Sequence, residues 1–193
     1  YNEETAFFID KGLFMTITNA DFSKTHFLSK IREGLARRDA LKKQVLDYEE
    51  TLTTDTPSCA TWSANSENEI LKKANSGTGG WLEIENEDVR SLKATILYGL
   101  KGISAYAEHA YQLKAHNQEI YEFLMEGLAS LADENMSTDN LLGLVLKTGE
   151  MGVKTMALLS EANSQKYGTP EITEVALGVR KNSGILISGH DLI

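Results

Sequence analysis

The stretch Asn86-Glu87-Asp88-Val89-Arg90-Ser91-Leu92, carried on through Ile96, Leu100, Ile103, Ala107 and Ala110, decides the fold. From Leu92 onward its apolar residues step by four, four, three, four and three, the period of one helix face. Asn86 is an N-cap, and Glu87 and Asp88 place acids in the first turn, where the helix dipole favours them. The pattern lasts to about Lys114, roughly 40 Å at 1.5 Å per residue, long enough to run the length of a bundle. Gly99 and Gly102 interrupt it, each costing about 1 kcal/mol against alanine. That cost is tolerable where another helix packs closely, so both are read as a crossing point.

Two more helices follow. Asn117 caps one bearing Ile120, Tyr121, Leu124, Leu128 and Leu131. Ser137 or Thr138 starts another bearing Leu141, Leu144, Val145, Thr148, Met151, Gly152, Thr155, Met156 and Leu159, its methionines read as core fillers. Short turns make the three antiparallel neighbours. Residues 86–164 are therefore expected to form a three-helix bundle.

Residues 1–85 read as part of a first, incomplete bundle and its connector. Ala6-Phe7-Phe8-Ile9 and Leu13-Phe14-Met15 belong to a packed helix closing near Thr18-Asn19-Ala20-Asp21. Ser23 starts a second helix over about 24–52, with Phe27, Leu28, Ile31, Leu35, Leu41, Val45, Leu46 and Leu52 as its stripe. The Arg37-Arg38 and Lys42-Lys43 pairs read as its solvated face. Residues 53–65 read as a polar loop around Pro57, and Ser66 with Glu69 has the spacing of a capping box for a short helix. The run Ser76-Gly77-Thr78-Gly79-Gly80 lacks the Gly-Lys-Ser/Thr of a phosphate-binding loop and reads as a connector.

Composition narrows the function. The 193 residues carry 28 acidic and 19 basic side chains, a net charge of −9, which argues against a nucleic-acid surface. No run of about 18 apolar residues predicts a membrane span. The single cysteine, Cys59, makes no intrachain disulfide and no cysteine-ligated cluster by itself, and its usage fits a reducing cytoplasm. Two prolines and long helical patterns give an all-α class: two three-helix-bundle-like units, the first incomplete, followed by one strand. No nucleophile elbow, dinucleotide fingerprint or paired metal ligands on one helix face appear, and His26, His109 and His116 have no second ligand at metal spacing.

The tail differs. Within residues 165–193, read as a linker and strand, Ser183-Gly184-Ile185-Leu186-Ile187-Ser188-Gly189-His190-Asp191-Leu192 sets an apolar run between glycines. It reads as the first strand of a missing α/β domain, and groups at the carboxyl ends of such strands carry function. His190 holds that position; as imidazole it is a candidate metal ligand, and as a turn residue it is nothing more. Asp191 either orients it or caps a following helix. A chain that begins at Tyr1 and stops three residues after His190 is expected to be cut at both ends.

Four segments, in order, resemble the hybrid-cluster (prismane) protein family, the hydroxylamine reductases. They are Gly12-Leu13-Phe14-Met15-Thr16-Ile17-Thr18-Asn19-Ala20-Asp21-Phe22, the long run from Asn86 through Tyr98-Gly99-Leu100-Lys101-Gly102-Ile103-Ser104-Ala105-Tyr106-Ala107-Glu108-His109-Ala110, Lys166-Tyr167-Gly168-Thr169-Pro170, and the tail from Gly184 to Leu192. The resemblance implies a redox enzyme that reduces hydroxylamine to ammonia and water, with nitric oxide as another proposed substrate and a redox donor protein as partner. It implies an iron–sulfur cubane and a hybrid iron–sulfur–oxygen cluster, whose cysteines have no counterpart here. It assigns one residue, His190, as catalytic, cofactor-binding and metal-ligating at the hybrid cluster. This segment alone is then expected to bind no cluster and to be inactive. The alternatives are a non-enzymatic helical scaffold or binding domain, or a relative of carbon monoxide dehydrogenase.

Overall fold

A computed structural model describes residues 2–17, 20–48, 57–76, 84–179 and 181–185. They form seven helices and no strand: α1 Glu3–Met15, α2 Lys24–Tyr48, α3 Ser58–Thr61, α4 Glu67–Asn75, α5 Glu87–Gln112, α6 Gln118–Ala132 and α7 Thr138–Tyr167. The described residues are all-α, as the periodicity requires.

Side chains close the helix starts as the sequence suggests. Asn86 Oδ1 accepts from the backbone N–H groups of Asp88 and Val89, Asn117 from Glu119, and Ser137 Oγ from Asn140. Each satisfies donors the first turn leaves unpaired. The α4 capping box is displaced by one residue. Ser66 Oγ accepts from the Glu69 N–H, but Glu69 reaches back to the N–H of Asn65 at 2.6 Å rather than to Ser66. At the far end of α7, Gly168 takes φ +92°, a conformation that favours glycine and lets the chain leave the helix.

The core sits among α5, α6 and α7, with α1 laid across α5 and α6. Ile96, Leu100, Ile103 and Ala107 of α5 meet Ile120, Tyr121 and Leu124 of α6 and Leu141 and Met151 of α7. Ala6 and Leu13 bring α1 into the same cluster. Although α1 precedes α2 in sequence, its main packing is with α5 and α6. The stripe read on α2 is only partly covered: Leu28 is buried, Phe27, Leu35 and Leu41 are half-buried, Ile31, Val45 and Leu46 are exposed, and Leu52 lies outside the described residues.

Four local readings need correction. Arg37 is not simply solvated, because it pairs with Glu33 and Glu4 and lies over the Phe8 ring, tying α2 to α1. Arg38 likewise donates to the Trp62 carbonyl. The polar loop around Pro57 contains α3, a single turn too short to leave a periodic signature. Met151 fills the core, but Met156 faces out.

The glycine pair divides. A Cβ on Gly99 would lie 2.4 Å from Thr148 Cγ2, so α5 and α7 do cross closely there. Around Gly102 nothing lies within 4 Å, so it is not part of the crossing. Thr148 is buried, and its hydroxyl donates to the Leu144 carbonyl, which restricts its escape. Overpacking costs about 1–3 kcal/mol against about 1 kcal/mol of helix propensity gained. Gly99→Ala is therefore expected to destabilise by about 1 kcal/mol in denaturant unfolding. Adding Thr148→Ser, which deletes the clashing methyl, should restore the midpoint; no restoration would refute the crossing.

Lys93 is buried at 5% exposure and caps the end of α6, its Nζ donating to the carbonyls of Leu131 (3.1 Å) and Asp133 (2.7 Å). A cation at a helix C-terminus answers both the unpaired carbonyls and the dipole. Lys93→Met keeps the stem but loses these bonds, with an expected loss of about 2–3 kcal/mol of unfolding free energy. An unchanged midpoint would show that water replaces the ammonium.

Candidate functional site

The sequence places its candidate chemistry on His190 and Asp191, which lie outside the described residues. So do Leu186 and Ile187 of the expected strand and Gly77-Thr78-Gly79-Gly80 of the connector. What is described of the approach is an uncovered segment with neither helix nor strand: beyond Gly168, Ile172, Val175, Leu177 and Val179 are all exposed, and Ile185 is 91% exposed.

The other histidines do not come together. His26 at the start of α2 bonds Asp21 through Nδ1 at 2.5 Å. The Ser23 N–H and His26 together hold the Asp21 carboxyl below its ordinary value. His109 on α5 stacks edge-on to Phe14, with ring centroids 5.7 Å apart. His116, in the turn before α6, lies 3.6 Å from Glu3 and edge-on to Phe7. Cys59 stands exposed on α3. Among the described residues no three His, Cys, Asp or Glu side chains converge on a position that could hold a metal ion. These residues by themselves do not fit an iron–sulfur cluster, which needs several thiolate ligands.

One buried polar group carries no motif in the sequence. Asp10 of α1 is 1% exposed, and its Oδ1 meets no hydrogen-bond donor among the described residues. Burial, reinforced by the nearby charge of Glu108 on α5, raises its carboxyl from 3.8 to about 8. Both effects disfavour the anion, so Asp10 keeps its proton at neutral pH. Glu108 accepts from Gln112 Nε2 at 2.8 Å, one turn further along α5. The clue lay in spacing: Ala6, Asp10 and Leu13 step by four and three, which puts an acid in the buried stripe of α1. Chemically the site can store one proton between α1 and α5. No described helix is long and apolar enough to cross a membrane.

Comparison with known proteins agrees with the resemblance. A family model described as the Prismane/CO dehydrogenase family matches residues 2–193. A protein named hydroxylamine reductase from Desulfitobacterium hafniense is 50% identical over 185 residues, covering 96% of this chain and 33% of that protein. Proteins of the same name from Acetivibrio thermocellus and Natranaerobius thermophilus are 50% and 44% identical over 181 and 196 residues. They are covered over 32% and 35% of their lengths, with 94% and 99% of this chain aligned. The chain thus spans about a third of the length of the curated relatives it matches.

Proposed function

This chain belongs to the Prismane/CO dehydrogenase family, and on that premise we propose that it is the helical scaffold of an enzyme reducing hydroxylamine to ammonia and water. The observation that carries the reading is 50% identity, over nearly the whole chain, to a protein named hydroxylamine reductase. The carbon monoxide dehydrogenase alternative rests on the shared family description alone, since the relatives reported above carry the hydroxylamine reductase name.

In this proposal His190 supplies one imidazole ligand to a hybrid iron–sulfur–oxygen cluster. The remaining ligands, and those of a cubane, come from polypeptide outside residues 1–193. A single imidazole cannot retain such a cluster, because most of the coordination energy resides in the other ligands. Hydroxylamine, or nitric oxide as a second substrate, and a protein electron donor complete the proposed reaction.

The test compares residues 1–193 with a full-length protein containing them. The full-length protein is expected to bind iron and to oxidise a reduced viologen dye when hydroxylamine is added. Residues 1–193 should do neither. Iron binding without hydroxylamine reduction by the full-length protein would overturn the assignment of activity.

A further inference from the structure

Helix α7 has two apolar stripes, and only one is covered. Leu141, Thr148, Met151 and Thr155 face the core. On the other side Leu142, Leu146, Gly149, Val153 and Met156 follow one another by four, three, four and three residues. That is the spacing of a seam which another helix closes by inserting its side chains between successive turns. Leu146 is 69% and Val153 63% exposed, so nothing described fills it.

The seam borders a groove of ≈ 400 Å³ between α7 and α5, floored by Gly99, Gly102, Gly149 and Gly152 and walled by Tyr106 and Met156. Beyond Tyr106 a second hollow of ≈ 470 Å³ continues over Tyr98 to Thr16 and Ile17 at the end of α1, with Lys101 as its one charged lining residue. Gly102, which has no role in the α5–α7 crossing, and Tyr106 line both hollows. The result is a continuous apolar trough across three helices. Leaving several large apolar side chains in water forfeits about 1.5–3 kcal/mol each relative to burial, and contiguous patches of this kind mark interaction sites.

We propose that the α5–α7 trough is the seat of an apolar-faced helix from the polypeptide outside residues 1–193 of the same molecule. The inference rests on the reading that this chain is one part of a longer enzyme. About two thirds of the length of the relatives lies outside the matched segment, ample polypeptide to supply a helix that covers the trough. Gly102 and Gly149 leave the trough open to close backbone approach and it has a seam at helix spacing, whereas the exposed side of α2 carries Lys42 and Lys43 beside its stripe. The occupant's docking face should carry bulky apolar residues every three or four positions and no charge.

The test is carbene labelling of the full-length protein at low concentration, read by mass spectrometry at Tyr106, Leu146, Val153 and Met156. At Leu146 and Val153, labelling at least tenfold weaker than at Tyr167, which is about as exposed as they are in this chain, is the expected result, with Tyr106 and Met156 protected alongside them. A Leu146→Glu/Val153→Glu variant should regain labelling at Tyr106 and Met156 while keeping its helical content. Strong labelling in the wild-type protein would overturn the proposal. Protection that vanishes on dilution with the fold intact would do so too, by assigning the trough to a second copy. Because this readout is independent of iron and activity, it can fail while the hydroxylamine reductase reading stands.

Discussion

Replacing His190 by alanine in the full-length protein is expected to lower hydroxylamine reduction by roughly 100-fold or more, the scale reached when a metal site loses a residue that holds it in place. The proposal makes this imidazole a direct iron ligand, so the substitution should alter the paramagnetic signal of the hybrid cluster. The cubane signal should persist, because the proposal gives His190 no part in binding it. A turn residue would behave differently: its loss would leave both signals and the rate near wild type. Asp191→Asn separates the two open roles of the neighbour. Should Asp191 orient the histidine through its charge, the rate falls with the cluster retained; should it cap a helix, asparagine caps equally well and both rate and stability stay, whereas Asp191→Ala lowers stability by about 1 kcal/mol.

The second large effect concerns pH and stability. Asp10 ionises near 3.8 in an unfolded chain but only at about 8 in the folded one. Below pH 4 it is protonated in both states and burial carries no ionisation penalty. Between pH 4 and 8 the unfolded chain releases the proton while the folded chain retains it, so stability falls as pH rises, by about 1.4 kcal/mol per unit. Above pH 8 both states are ionised and the contribution levels off. Asp10→Asn removes the titration but keeps the shape. It is expected to flatten the decline between pH 4 and 8 and to be the more stable variant at pH 8 by several kcal/mol. Unfolding midpoints at pH 5 and pH 8 provide the check. An identical slope in both proteins would mean that water or a base outside the described residues already solvates the carboxyl.

Much of the helical architecture was legible because two local codes agreed. Along α5, α6 and α7 the apolar period names the buried face, while Asn86, Asn117 and Ser137 mark the starts. Information that depends on what lies opposite was not legible. Gly99 and Gly102 look alike in sequence, yet only Gly99 faces a methyl group, and Gly102 floors an open trough. Arg37 looks like a surface charge until Glu4 and Phe8 arrive from α1. Asp10 is hidden in the sequence because Phe7, Phe8 and Ile9 make the segment read as apolar, and only helical spacing reveals that the acid points inward. His190 is singled out by a different route, the motif around it, and as it lies outside the described residues the structure does not bear on its role.

The central claim is that His190 joins this scaffold to a cluster built from the rest of the enzyme. Pulsed electron–nuclear double resonance on full-length protein labelled with ¹⁵N-histidine tests it directly. The account predicts a histidine nitrogen coupled to the hybrid-cluster signal that disappears in His190→Ala. A cluster with no coupled histidine nitrogen, or a coupling that survives the substitution, would contradict it.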